Sequence, residues 1–335
     1  MLLWALARAW PDALNPFMRH ERWDTALFLH WALPREQVQA LLPAGLEVDD
    51  GGDARGSGWL GLVLLSELGV GPAGCCRWSR FLVDHHGANL RVYVRGPDGP
   101  GILFLSLECS SAVASAGARL FSIPYWPGSM SRTVTEEDHH QAGTGSGSGG
   151  GGRRRRFQLK GRRCTCRCRG RSFRWRRFST ALISCSWAVA SSDATLATTT
   201  AATSTIETQS SPSPPRDATN SLVASSSAGA RQRGGSGDGG GGGAARDVQW
   251  ARRAHFFVEQ YRLYTVNGSA LYSGVISHQP WAAPRPVELQ SLQQSLSNAV
   301  PGLAAQLGAP AHCCFSEGTG PIDFGMLRPS GARPS

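Results

Sequence analysis

Between residues 139 and 247 the chain loses the composition of a folded protein. The stretch opens on "GTGSGSGGGG", passes through a run of arginines and "ATLATTTAATSTIETQSSPSPP", and closes on "GGSGDGGGGG". Such sequence buries too little apolar surface to offset the cost of ordering, roughly 1–2 kcal/mol per residue for the backbone alone. It is therefore expected to be a long disordered insertion. Globular composition lies on both sides of it, at 18–138 and 248–328. A length of 335 residues allows two domains. Here the expectation is one discontinuous domain, with an N-terminal extension at 1–17 and a tail at 329–335.

The charge follows the same division. The chain has 34 basic and 24 acidic residues, a net +10. Thirteen of the basic residues fall between Arg153 and Arg177 with no acid among them; without them the balance is 21 against 24, or −3. The basic pI is thus no argument for a nucleic-acid partner of the folded part. Only the tract 153–178, where Phe173, Trp175 and Phe178 interleave with arginine, can bind RNA or another polyanion; an adventitious solvated tract is the plainer reading. Lys160 is the only lysine in the chain.

Nine cysteines include the adjacent pairs Cys75-Cys76 and Cys313-Cys314 and the cluster Cys164, Cys166, Cys168. No secreted disulfide framework is visible, and the cluster lacks the spacing of a zinc site. A reducing compartment, the cytoplasm, is expected. Organelle targeting by residues 1–17 stays open, and no stretch is apolar for long enough to span a membrane. Asn267-Gly268-Ser269 fits a glycosylation pattern, but a tight hairpin turn explains it better.

Local signals are clearest in "NLRVYVRGPDGPGILFLSLE". Leu90, Val92 and Val94 alternate with polar residues, "GPDGPG" supplies a turn, and Leu103, Leu105 and Leu107 alternate again: an antiparallel hairpin. "YRLYTVNGSALYSGVIS" repeats that logic around Asn267-Gly268. "SGWLGLVLLSELGV" reads as a strand buried on both faces, and "PREQVQALLPAGL" as a short helix. "SAVASAGARLF" reads as a small-residue helix leading into the corner "SIPYW". "VELQSLQQSLSNAV" places Leu289, Leu292 and Leu296 on one helical face, and "AHCCFSEGTGPIDFGML" supplies one or two more strands.

Taken in order, "MRHERWDTALFLHWALPREQVQALLPAGLEVD", "NLRVYVRGPDGPGILFLSLE", "GARLFSIPYW", "EQYRLYTVNGSALYSGVISHQPW" and "FSEGTGPIDFGML" resemble the YqjF-like family, domain of unknown function 2071, of the acetoacetate decarboxylase-like superfamily. The resemblance implies an α+β, mainly antiparallel β fold: a closed β-barrel with a few helices and an interior cavity, split by the insertion. It also implies a shorter strand-bearing segment within 139–247, with part of "RFQLKGRR" or "SFRWRRF" as its remnant. In acetoacetate decarboxylases a proline in a similar corner precedes two lysines, one of which forms a Schiff base with a keto acid. Tyr125 and Trp126 follow Pro124 here. Neither can form an imine, so a Schiff-base decarboxylase is not expected. The family often carries an acid just before the "NLRVYV" strand, and this chain has Gly87.

Candidate ligand-binding residues are Asn89, Arg91 and Tyr93 on one strand face, and Tyr125, Trp126 and Trp281 about the corner. Arg91 suits a carboxylate or phosphate. The alternative is an ion pair between Arg91 and Glu108, or simple aromatic packing at the corner. Glu108 and His278 are the candidate acid–base groups if the protein is an enzyme. Asp84-His85-His86 and Asp138-His139-His140 resemble metal ligands by type, but adjacent strand residues face opposite ways. No metal and no cofactor are expected. The leading expectation is a barrel that binds an organic acid-like small molecule. The alternatives are an enzyme acting on such a molecule and a nucleic-acid binder acting through 153–178.

Overall fold

A computed structural model describes residues 16–52, 56–74, 83–139, 152–163, 182–190, 241–300, 303 and 307–331. The chain divides into two compact units, residues 1–191 with 249–335, and residues 192–248. Every described strand belongs to the first.

Its main sheet is built from long apolar strands in which alternate residues face opposite ways. β1 (Met18–His20) and β2 (Arg22–Leu33) lead into α1 (Arg35–Gln39), followed by β3 (Glu47–Val48), β4 (Gly58–Leu68) and β5 (Gly71–Pro72). The expected hairpin is β6 (His85–Gly96) with β7 (Gly99–Cys109), and α2 (Ala112–Arg119) follows, capped by the Ser111 hydroxyl on the amide of Ala114. Further along come β11 (Arg262–Asn267), β12 (Ala270–His278), β13 (Arg285–Pro286), β14 (Glu288–Gln294), β15 (His312–Thr319), β16 (Ile322–Phe324) and β17 (Arg328–Pro329). β15, β2, β4, β6 and β7 pair antiparallel in that order. The Asn267-Gly268 hairpin joins β11 to β12, with Gly268 at φ +63° as its turn requires.

After β8 (Tyr125–His139), two strands are described within 139–247, β9 (Gly152–Arg163) and β10 (Leu182–Ala190). β9 is the antiparallel neighbour of both β8 and β10, and β10 pairs with β14. The reason is local. Phe157 and Leu159 alternate with Arg156, Gln158 and Lys160, and Ile183, Cys185 and Trp187 alternate with serines, so each strand buries one face. The Phe157 and Trp187 rings stack at 5.3 Å inside the core. "RFQLKGRR" falls within β9, while "SFRWRRF", the Cys164–Cys168 cluster and His140 lie outside the described residues. α3 (Gly241–Val258) closes this part of the chain.

The helix expected over "VELQSLQQSLSNAV" is instead β14 followed by a short 3-10 turn, Ser297–Ala299. Pairing with β10 decides it: Leu289 stands opposite Trp187 and Leu292 opposite Cys185. The closed barrel is also corrected. β7 takes β8 as a parallel partner and so links the two sheets. The far ends do not join by a ladder, because β14 pairs with β10, β13 pairs with β15, and Val287 stands between them. Pro284 and Pro286 lack the amide hydrogens a continuous strand would need there.

Between the sheets lies one core, with Leu27, Leu29, Leu62, Leu64, Leu90, Val92, Phe157, Trp187 and Phe315 among its members. The opposite face of the main sheet carries Phe28, Val63 and Leu65, covered by Ala254 and Val258 of α3 and by Trp281. No helix among the described residues is long and apolar enough to cross a membrane.

Candidate functional site

β4 is apolar until its end, where Glu67 faces away from the inter-sheet core. It is 2% exposed. In the ladders Trp23 stands opposite Glu67 on one side and His85 on the other. His20 Nδ1 lies 3.0 Å from Glu67 Oε2, and His85 Nε2 lies 3.5 Å from Oε1. The Tyr125 hydroxyl donates to Oε1 at 3.4 Å. The corner after Pro124 thus delivers a phenol to a buried carboxylate flanked by two imidazoles.

Burial alone would raise the pKa of Glu67, but the charge of His85 and the hydrogen bonds of both histidines outweigh it and hold the carboxyl well below its usual range. Burial lowers the pKa of His85, and the Glu67 charge together with the Val83 carbonyl reverses this, leaving it raised. His85 Nδ1 bonds that carbonyl at 2.7 Å, which directs Nε2 at Glu67. Tyr125 is pushed well above its ordinary value by burial and by Glu67, so its phenol stays protonated. The Trp23 indole also lies 3.0 Å from His20 Nδ1. One nitrogen cannot both accept from Trp23 and donate to Glu67; the charge-assisted bond to Glu67 is the stronger.

Gly87 makes the arrangement fit. A Cβ there would stand 2.9 Å from Glu67 Oε1. The chain's single lysine, Lys160, is exposed on β9, with Ser131 and Ser184 as its ladder neighbours.

Asn89, Arg91 and Tyr93 lie on the same sheet face, under α3 at its far end. Arg91 donates to the Phe257 carbonyl at 2.7 Å and to the Tyr93 hydroxyl at 3.2 Å, and that hydroxyl lies 2.7 Å from His30 Nε2. Arg91 thereby ties down the last turn of α3, where a cation is favoured. Glu108 is not its partner. A bulge between Leu90 and Arg91 shifts the β6–β7 register, Glu108 sits opposite Ala88 on the inter-sheet side, and it accepts from Ser106 at 3.0 Å.

Trp126 carries the Arg119 guanidinium 4.8 Å from its ring centre. Trp281 stacks on Trp23 at 5.6 Å and meets Phe28 edge-on. His278 stacks on Tyr261 at 4.5 Å and bonds the Gln279 carbonyl. Among the described residues no group of three His, Cys, Asp or Glu side chains is arranged to hold a metal ion. His86 faces away from His85 and bonds Ser66. The Asp138-His139-His140 side chains lie outside the described residues. Glu67, His20 and His85 are the residues that sequence reasoning missed as a site; the only signal was a lone acid ending an otherwise apolar strand.

The sequence profile of DUF2071, an uncharacterized conserved protein family, matches residues 20–319, and the chain belongs to that family. It is 31% identical over 129 residues to the uncharacterized protein YqjF of Bacillus subtilis (strain 168), a match covering 36% of this chain and 48% of that protein, so it spans about half the relative's length. Among solved structures it is similar to the enduracididine biosynthesis enzyme MppR complexed with pyruvate (13% identity, 95% of this chain, 92% of that one, TM-score 0.43). It is also similar to an acetoacetate decarboxylase-like enzyme from Sphingomonas wittichii RW1 (12%, 95% and 96%, TM-score 0.42). A third is the acetoacetate decarboxylase of Legionella pneumophila (10%, 95% and 90%, TM-score 0.43).

Proposed function

We propose that the corner formed by Glu67, His20, His85 and Tyr125 binds a small organic acid-like molecule and works without an imine. The observation that carries this is a buried carboxylate held between two imidazoles and a phenol, in a chain whose one lysine lies on another strand. Glu67 by itself repels an anion. A proton on His85 offsets that charge, so an organic acid binds the more protonated site. Trp126 and Trp281 line the approach, Asn89 adds a polar group to it, and Arg91 and Tyr93 hold α3 over the same sheet face.

A second reading, acid–base catalysis on such a molecule, is favoured by the same pair. Glu67 is ionised and His85 can hold a proton beside it, which are the two states a proton transfer needs. Glu108 and His278 are less suited: one faces the inter-sheet core and the other bonds a backbone carbonyl at the surface.

Thermal shifts with a panel of short organic acids test the site. The native chain is expected to be stabilised by at least one acid, more at pH 6 than at pH 8, and Tyr125→Phe and His85→Gln should each reduce the shift. Equal shifts in all three proteins would overturn the reading.

A further inference from the structure

We infer that the ligand of this corner carries a hydrogen-bond donor, a hydroxyl or an amine, which seats over Gly87 between Glu67 and Asn89. This deepens the reading above and rests on it. The three heavy atoms nearest the point where a Gly87 side chain would begin are Glu67 Oε1 at 2.9 Å, Asn89 Oδ1 at 3.8 Å and Leu65 Cδ2 at 3.8 Å. Two oxygen acceptors therefore flank the side-chain face of Gly87.

Asn89 is 9% exposed, and its Oδ1 is fully buried with no hydrogen-bond partner among the described residues. Its ladder neighbours are Val63 and Leu107, whose side chains offer no donor. A buried acceptor left unmade is costly, so such atoms are scarce in folded proteins. Glu67 cannot satisfy it, because an ionised carboxylate only accepts. A ligand O–H or N–H reaching the same spot satisfies Asn89 Oδ1.

The other side of the site asks for the opposite group. His85 Nε2 is buried and reaches Glu67 only at 3.5 Å, the long end of a hydrogen bond. Together Asn89, Glu67 and His85 select a small acid substituted with a hydroxyl or amine. Its carboxylate faces His85, and its donor faces Asn89 and Glu67.

The test uses lactate, alanine and propionate, which share one carbon frame and carboxylate and differ in carrying a hydroxyl, an ammonium or a hydrogen. Binding to the full chain is read by saturation-transfer NMR. Lactate or alanine is expected to bind at least about ten-fold more tightly than propionate, and Asn89→Leu should bring that ratio near one. Asn89→Leu should also leave Tm unchanged or raise it, since it removes an unpaired buried acceptor. Equal binding of all three acids overturns the inference and leaves the site reading standing. A marked fall in Tm in Asn89→Leu overturns it too, by showing that the amide is a structural partner. Failure of all three to bind overturns both.

Discussion

A carboxylate placed in a β-sheet away from water needs compensating donors, and Glu67 has three: His20, His85 and Tyr125. Removing its charge while keeping its shape leaves His85 buried without an ion partner. Glu67→Gln is therefore expected to destabilise the fold by roughly 1–3 kcal/mol near neutral pH, read by chemical denaturation. Gly87→Ala belongs to the same scale. The added methyl group meets Oε1 and must push the carboxylate off its partners, at an expected cost of about 1–3 kcal/mol. A Gly87→Ala variant as stable as the native chain would show that the carboxylate has room to move. Very little of this was legible in the sequence. Glu67, His20 and His85 sit on three different strands, and nothing in their spacing says that β1, β4 and β6 bring them together. The corner itself was legible, because Pro124 fixes the turn and Tyr125 excludes an amine.

At the scale of elements, short-range chemistry read well and long-range pairing did not. The hairpins β6–β7 and β11–β12 carry their own turn residues, so period-2 alternation and the turn signals agree. β14 misled because Leu289 and Leu292 suit a helical face equally well, and only the partner strand β10 settles the conformation. β10 in turn was hidden inside a stretch whose overall composition is not globular. Its importance is measurable. Trp187 is fully buried and stacked on Phe157, so Trp187→Ala is expected to cost about 3–5 kcal/mol. If the substitution costs less than 1 kcal/mol, β10 is not part of the core.

For the whole molecule, two buried clusters of opposite sign set the pH dependence of stability. His85 has a raised pKa, so its contribution is complete below its ordinary value of 6.5 and is lost as pH rises through the folded value. Glu67 has a lowered pKa, so its contribution is complete above its ordinary 4.5 and is lost only as pH falls toward the folded value. Under α3 the balance reverses. Burial, with the charge of Arg91 and of His312, pushes His30 well down, and burial with Arg253 pushes His312 to about 4 despite the Trp250 carbonyl. Groups kept neutral in this way stabilise fully above 6.5 and lose that contribution as pH falls, for His312 between 6.5 and about 4. Tm is therefore expected to peak near pH 6.5. Glu67→Gln should flatten the alkaline limb and His312→Phe the acid limb. A profile in which neither variant changes its limb would separate these clusters from stability.

The most direct measurement is the titration of His85, followed by NMR of labelled histidine in the native chain and in Glu67→Gln. His85 should titrate above 6.5 in the native protein and fall to or below that value once the carboxylate is gone. The same titration midpoint in both proteins would contradict the coupled Glu67–His85 site on which the proposed function stands.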